Sequence, residues 1–413
     1  MVGATACDVR RQTSDDERPR PPMNTSSQYS DSESSKKDSS LRMQRVATSA
    51  GNPATQQLLE YAPRRLALLT QFPRGGPRLH VARLLHVSQV ELFKELYNRY
   101  VKPSYPESDD YAAFVVARHF APGAADGYFT KKKTIWCLHD HRQFVPLGFT
   151  VVTEKRGGSI KFGPTVLIPE RRGRGIGSAF RLLVESMYPE ARKAYNTLPD
   201  DNPAALGYVL KAGYRVEAHL AGQYREEGGE LVVGKLLKPA TIPPCQAPVG
   251  QRIPGRLIVK DGNELVAETR WRIVGELLRD SYDEVDSGFV DAIERTSRTN
   301  AVELSGKSKR LCVAFRGHIP VGVLVATPKR GHALKCSPFV LASTDTEAFE
   351  QLLRCAYSAF PTRISRKTYI HVPYNHTWLI REARSRAFVV EGLLREPYRP
   401  GVDMLVLGRH AGA

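Results

Sequence analysis

The chain has 413 residues, 41% of them hydrophobic, which is enough for more than one buried core at ordinary domain sizes. Its six cysteines, Cys7, Cys137, Cys245, Cys312, Cys336 and Cys355, form no CxxC pair and no metal-ligand spacing with histidine, which excludes a zinc site of the usual kind and predicts reduced, mostly structural thiols. A net charge of +17 favours an anionic partner, and a phosphate-rich cofactor, an acidic substrate and an RNA all satisfy it.

Residues 1–55 are poor in large apolar side chains and run through Thr25-Ser26-Ser27-Gln28 into Ser34-Ser35-Lys36-Lys37, a composition that predicts a disordered tail. That tail holds eight Lys/Arg against seven Asp/Glu, so the basic excess belongs to the folded part. No apolar h-region opens the sequence, and no stretch reaches the roughly 20 apolar residues of a membrane helix, so a soluble, cytoplasmic protein is expected.

In chain order, residues 79–87 read as a strand and 89–100 as an amphipathic helix with Leu92, Phe93 and Leu96 on one face, followed by a short helix over 111–120. Residues 134–139, 145–153 and 160–168 have the β-branched, partly alternating character of consecutive antiparallel strands. A helix over 175–188, a strand over 193–198, a helix over 203–212 and a hairpin of 214–224 with 230–237 around Gly228-Gly229 complete the set. The fold class is α+β.

Sliding the sequence against itself brings Val145-Pro146-Leu147-Gly148 onto Ile319-Pro320-Val321-Gly322, 174 positions later. The same offset brings Lys161 and Pro164 onto Lys335 and Pro338, and Tyr224-Arg225 onto Tyr398-Arg399. So long a period matches a whole domain and predicts a duplicated fold. Two tandem domains are expected at 76–238 and 256–410, each a mixed, mostly antiparallel central sheet flanked by helices, joined by a linker at 239–255 rich in proline.

The motif with chemical content is Pro169-Glu170-Arg171-Arg172-Gly173-Arg174-Gly175-Ile176-Gly177-Ser178, which follows a strand and opens a helix. Glycines let backbone amides approach an anion, and at a helix amino terminus those amides present about half a positive charge. The spacing fits neither a P-loop nor GxGxxG. Arg172-x-x-Gly175-x-Gly177 resembles the acetyl-CoA loop of the GNAT acetyltransferase superfamily. Asn202-Pro203-Ala204-Ala205 followed by Lys211-Ala212-Gly213-Tyr214 is similar to that family's Asn-x-x-Ala helix ending in Lys-x-Gly-Phe.

The resemblance covers residues 78–237 and implies an N-acetyltransferase with acetyl-CoA as cosubstrate and an amine of a small molecule or a protein as acceptor. It implies a coenzyme site of Ile168, Arg172, Gly173, Arg174, Gly175, Ile176, Gly177, Ser178 and Asn202, with the pantetheine arm between two strands that splay at Gly163-Pro164. The family's thiolate-protonating tyrosine falls on Val209, which leaves its neighbour Tyr208 as the candidate acid. Candidates for a base are Glu154, His139 and His141, the two histidines alternating onto one strand face where they could hold a metal or a water, whereas Glu170 reads as a helix cap or an arginine's partner. The same offset puts Phe349 on Gly175 and Gln351 on Gly177, with Thr344-Asp345-Thr346-Glu347 reading as a capping box, so the second domain is expected to bind no CoA. Trp271, Trp378 and Tyr374 are candidates for a cleft at the domain junction. A non-catalytic acyl-CoA-binding or scaffold protein is the alternative and a tRNA-using aminoacyl transferase on a duplicated fold a third reading carried by charge alone; otherwise no membrane or nucleic-acid partner is expected, and the oligomeric state is not legible.

Overall fold

A computed structural model describes residues 79–84, 87–105, 111–120, 133–140, 146–155, 157–240, 253–278, 282, 293, 309–360 and 366–411, all within the unit Pro53–Ala413. The tail at 1–55, His141, Cys7, Cys245, residues 241–252 of the linker and the side chain of Trp271 lie outside the described residues.

The first half runs β1 (Leu79–Arg83), α1 (Val87–Tyr100), α2 (Tyr111–Phe120), β2 (Lys133–Asp140), β3 (Pro146–Lys155), β4 (Ser159–Leu167), α3 (Ile176–Ser186), β5 (Lys193–Pro199), α4 (Pro203–Lys211), β6 (Arg215–Ala221) and β7 (Gly229–Leu236). The second runs β8 (Leu257–Asp261), α5 (Ala267–Leu278), β9 (Arg310–Arg316), β10 (Ile319–Lys329), β11 (Ala333–Leu341), α6 (Thr346–Ser358), β12 (Lys367–Pro373), α7 (Thr377–Arg384), β13 (Val389–Arg399) and β14 (Val402–His410). The architecture is α+β, as expected.

The strands join in one sheet in the order β1-β2-β3-β4-β5-β7-β6-β13-β14-β12-β11-β10-β9-β8. Among the described residues only β4–β5 and β11–β12 pair in parallel. Helices explain the burial pattern: α1 buries Val90, Phe93, Leu96 and Tyr97, and α3 buries Ile176, Phe180, Leu183 and Val184, each set on one helical face. With helices covering the sheet, β3 is buried along most of its length and reads as a near-continuous apolar run.

Elements recur at the offset seen in the sequence. Ser159 opens β4 and Ala333, 174 positions later, opens β11; Lys193 and Lys367 open β5 and β12, and Pro203 and Thr377 open α4 and α7. The halves meet where β6 pairs with β13 through Ala218 and Gly392, themselves 174 apart. A residue facing its own counterpart is what an approximate two-fold axis through this pair generates.

Three expectations need correction. The hairpin turn is longer than Gly228-Gly229: Gly229 already pairs with Ala221, and the loop closes through Gly222 N–H to the Gly228 carbonyl at 2.8 Å. The cap of α6 is Asp345, not Thr344, because the Asp345 carboxylate reaches the Ala348 N–H at 3.0 Å and is gripped by Arg316 at 2.7 and 2.9 Å. Two cysteines are not reduced: Cys312 on β9 and Cys355 on α6 form a disulfide, because α6 packs across β9 and brings together thiols 43 residues apart. Cys137 and Cys336 are free and buried.

Candidate functional site

β4 and β5 pair only from Ser159–Lys193 to Phe162–Asn196. The next two residues, Gly163 and Pro164, face the single residue Val151 on β3, a bulge between the Thr150–Thr165 and Val152–Phe162 pairs. Proline has no N–H to donate, so pairing is interrupted there. Beyond the bulge β4 pairs only with β3 and β5 only with β7. The Ile168 N–H donates back to the Leu147 carbonyl at 2.9 Å, and alternation turns the backbone groups of Leu167 and Thr165 the other way, toward the open seam. On the β5 side, Asn196 Oδ1 accepts the Thr197 N–H at 2.9 Å. The splay expected at Gly163-Pro164 is present.

The glycine loop lies at the end of this seam. After buried Ile168 comes a 3₁₀ turn, Pro169–Arg171, then exposed residues 172–175. Gly173 (φ 76°) and Gly175 (φ 74°) are left-handed, and a Cβ at either would meet nothing within 4 Å. Glycine is therefore required by backbone conformation, not by crowding. Gly175 is the N-cap of α3 and supplies no side-chain cap, so the first N–H groups of the helix stay available outside it. Gly177 is helical and different: a Cβ there makes ordinary contacts with Leu167 Cδ1 at 3.5 Å and Tyr208 Cδ2 at 3.9 Å.

The arginines divide their work. Arg171 approaches Asp140 at 3.9 Å, and Arg172 donates from Nε to the Leu167 carbonyl at 3.0 Å with its guanidinium 4.1 Å from the centre of the Tyr100 ring. Arg174 is exposed. Arg172 thus ties the loop to β4 and α1.

Ser178 Oγ donates to the Tyr208 carbonyl at 3.0 Å and joins α3 to α4. Asn202, expected in the coenzyme site, is the N-cap of α4, its Oδ1 accepting the Ala205 N–H at 2.9 Å. Val209 is fully buried, whereas half-buried Tyr208 turns its hydroxyl to α3, where Arg181 Nη1 donates to it at 3.2 Å. Arg181 is 1% exposed, with its guanidinium 3.7 Å from the Phe162 ring and 4.3 Å from the Tyr214 ring. Its charge is answered by Glu185 at 3.8 Å, which also accepts from Tyr214 at 2.6 Å and Lys235 at 2.7 Å. Burial raises the Tyr214 hydroxyl far above the usual phenol range. With Arg181 donating to its oxygen, the Tyr208 proton is free to be given elsewhere.

The opposite sheet face holds a group that no motif announced. Lys161 and Tyr195 are register partners, and alternation along β5 puts Pro199, and with it its partner Glu230, on their face; Phe162, one residue from Lys161, faces Arg181 on the other. Glu230 is 1% exposed, accepts the Tyr105 hydroxyl on Oε2 at 3.2 Å, and has no hydrogen-bond partner on Oε1 among the described residues. Burial pushes its carboxyl up to about 7, against lowering by Tyr105, Lys161 and Arg225. The only sequence signal was a carboxylate at the head of the apolar run Leu231-Val232-Val233.

The remaining candidates are dispersed. His139 stacks on His80 at 4.9 Å in the outer β1–β2 pair, Glu154 lies opposite Ile160 near the end of β3, and Glu170 is exposed in the 3₁₀ turn. No cluster of metal-ligating side chains occurs among the described residues. Trp378 packs against the core of the second half and Tyr374 is exposed. Where Gly175 opens α3, its counterpart Phe349 is buried against Phe339, and α6 starts at Thr346, about one turn earlier than α3 does. Among the described residues no helix is long and apolar enough to cross a membrane.

No family model and no curated protein matches the chain. Among solved structures it is similar to a GNAT-family protein from Desulfovibrio desulfuricans (18% identity over 38% of this chain and 98% of that one, TM-score 0.32). It is also similar to spermidine N-acetyltransferase from Vibrio cholerae in complex with CoA and spermine (18% identity, 38% and 95% covered, TM-score 0.32). A third is aminoglycoside 6'-N-acetyltransferase complexed with coenzyme A (15% identity, 39% and 99% covered, TM-score 0.31). Each of the three spans little more than a third of this chain and is matched along nearly its whole length.

Proposed function

We propose that the chain is an N-acetyltransferase of the GNAT superfamily, built as two tandem GNAT-like domains (76–238 and 256–410) of which only the first binds acetyl-CoA. The observation that carries this reading is the adjacency of an uncapped, glycine-started helix, α3, to the seam where β4 and β5 stop pairing. The N–H groups of Ile176, Gly177 and Ser178 hold the pyrophosphate at the helix terminus. The turned-out backbone groups of Thr165 and the N–H of Leu167, whose carbonyl Arg172 already holds, pair with the pantetheine arm as with an added strand. A neutral amine attacks the thioester, backbone donors at the seam stabilise the oxyanion, and Tyr208, oriented by Arg181, protonates the departing thiolate. In the second domain Asp345 and Phe349 occupy the corresponding space, which suits a packing role.

Calorimetry with acetyl-CoA, joined to a thiol-release assay with spermidine, an aminoglycoside and a peptide α-amine, tests this. Binding and turnover are expected, and both are lost in Gly175→Trp; wild-type binding by that variant refutes the site. The second reading, a non-catalytic acyl-CoA-binding protein, is favoured by buried Val209 at the family's acid position. It predicts tight binding without thiol release.

A further inference from the structure

We propose that Glu230 is the base that takes the proton from the acceptor amine, which approaches from the sheet face opposite α3. This rests on the acetyl-transfer reading above and deepens it.

Position argues first. The glycine loop and α3 lie on the Phe162 face of the sheet, so a coenzyme held there threads the seam from that side. The acceptor is left the other face, where Glu230 is flanked by Tyr105 from the segment after α1 and Lys161 from β4. Arg225 of the β6–β7 loop and Asp200 at the end of β5 are the other charged groups that act on it. Asp200 is engaged by His219 at 2.8 Å and the Gly229 N–H at 2.8 Å, and Arg225 by Asp201 at 2.8 Å. Glu230 Oε1 alone of these carboxylate oxygens is buried and without a hydrogen-bond partner among the described residues.

The internal repeat supplies an independent observation. The counterpart of Glu230, 174 positions on, is Met404, fully buried in the apolar core of the second half. Around it the frame persists: Tyr282 packs on Tyr398 at 4.9 Å, much as Tyr105 packs on Tyr224 at 5.9 Å. The fold is therefore satisfied by an apolar side chain here. At this register position the carboxyl with an idle oxygen stands only in the half whose helix terminus is open, and a carboxyl titrating near neutrality suits proton transfer at working pH.

The step balances without any further reagent. An ammonium gives one proton to the Glu230 carboxylate; the freed lone pair forms the C–N bond as the C–S bond breaks. The thiolate takes its proton from Tyr208 and leaves as thiol, Tyr208 is reprotonated by the second proton that the acylated nitrogen sheds, and Glu230 returns its proton to solvent.

Thiol release from acetyl-CoA is measured between pH 6 and 9 with butylamine, spermidine and a peptide α-amine, for wild type, Glu230→Gln and Glu230→Met. Acetyl-CoA affinity is measured alongside. Glu230→Met keeps the folded frame measurable, because the second half carries methionine at this place. The expected result is a fall of roughly 10²–10⁴-fold in turnover, loss of the rising limb near neutrality, and unchanged acetyl-CoA affinity. Wild-type turnover and pH profile in either variant overturns the assignment. So does a wild-type chain that binds acetyl-CoA but releases thiol with none of the amines. Failure of the wild type to bind acetyl-CoA instead overturns the acetyltransferase reading itself.

Discussion

Lys193 and Lys367 make the same bond in opposite directions across the molecule. Lys193 Nζ donates to Glu217 at 2.6 and 2.9 Å and to the carbonyl of Arg395 in the other half; Lys367 donates to Glu391 and, at 2.8 Å, to the carbonyl of Ala221. Each partner in one set lies 174 positions from its partner in the other, as Lys367 does from Lys193. Around the facing pair Ala218 and Gly392, this exchange ties each half to the other's backbone. Burial lowers both lysines and raises both glutamates from their ordinary values, so each charge depends on its mate.

Removing one mate should therefore cost more than removing both. Lys193→Met leaves Glu217 buried without its cation and should destabilise the protein by about 3–5 kcal/mol in urea unfolding at pH 7. Adding Glu217→Leu should recover most of that loss. A single-variant loss below about 1 kcal/mol contradicts the tie, being the size expected of an exposed pair.

The loop glycines should separate by conformation. Gly175→Ala forces a side chain into left-handed backbone and should cost about 1–2 kcal/mol. Gly177→Ala meets only ordinary contacts inside a helix and should be neutral or stabilising by up to about 1 kcal/mol. Thermal unfolding of the two variants side by side decides; equal losses would show that crowding, not φ, requires the glycines.

Tyr208→Phe removes the hydroxyl that Arg181 orients and should lower kcat by roughly 10²-fold or more, with acetyl-CoA affinity unchanged. Val209→Tyr, which restores the tyrosine position of the resembled family, should instead overpack a fully buried site and cost about 1–3 kcal/mol. Stopped-flow thiol release and unfolding midpoints read the two effects separately.

Stability should fall as pH rises from about 4.5 to about 7, because the unfolded Glu230 carboxyl ionises across that window while the folded one holds its proton. The contribution is roughly 3 kcal/mol, constant above the window and absent below it. Glu230→Gln should remove it. Unfolding free energies of both proteins at pH 4, 6 and 8 test the sign, and identical pH slopes would exclude a raised carboxyl.

Much of this was legible early because it is local. The Gly173–Ser178 loop and the Asn202-Pro203 start of α4 announce helix termini through residue types that cap or bend backbone in only a few ways. The 174-residue register was visible because positions such as Lys161/Lys335 and Tyr224-Arg225/Tyr398-Arg399 keep their chemistry. The Cys312–Cys355 disulfide and the cap at Asp345 were not legible from spacing. Each depends on which neighbour arrives in space: α6 across β9, and Arg316 beside Asp345.

The amino-acid order by itself determined the element types, the seam at Gly163-Pro164, the open start of α3 and its closure in the second half, since backbone freedom and periodicity are properties of neighbouring residues. Only the tertiary structure decided that Tyr208 meets Arg181 and that Glu230 is buried with an idle oxygen on the far face. Burial and partnership are set by strands and helices distant in sequence, whose packing no local pattern encodes.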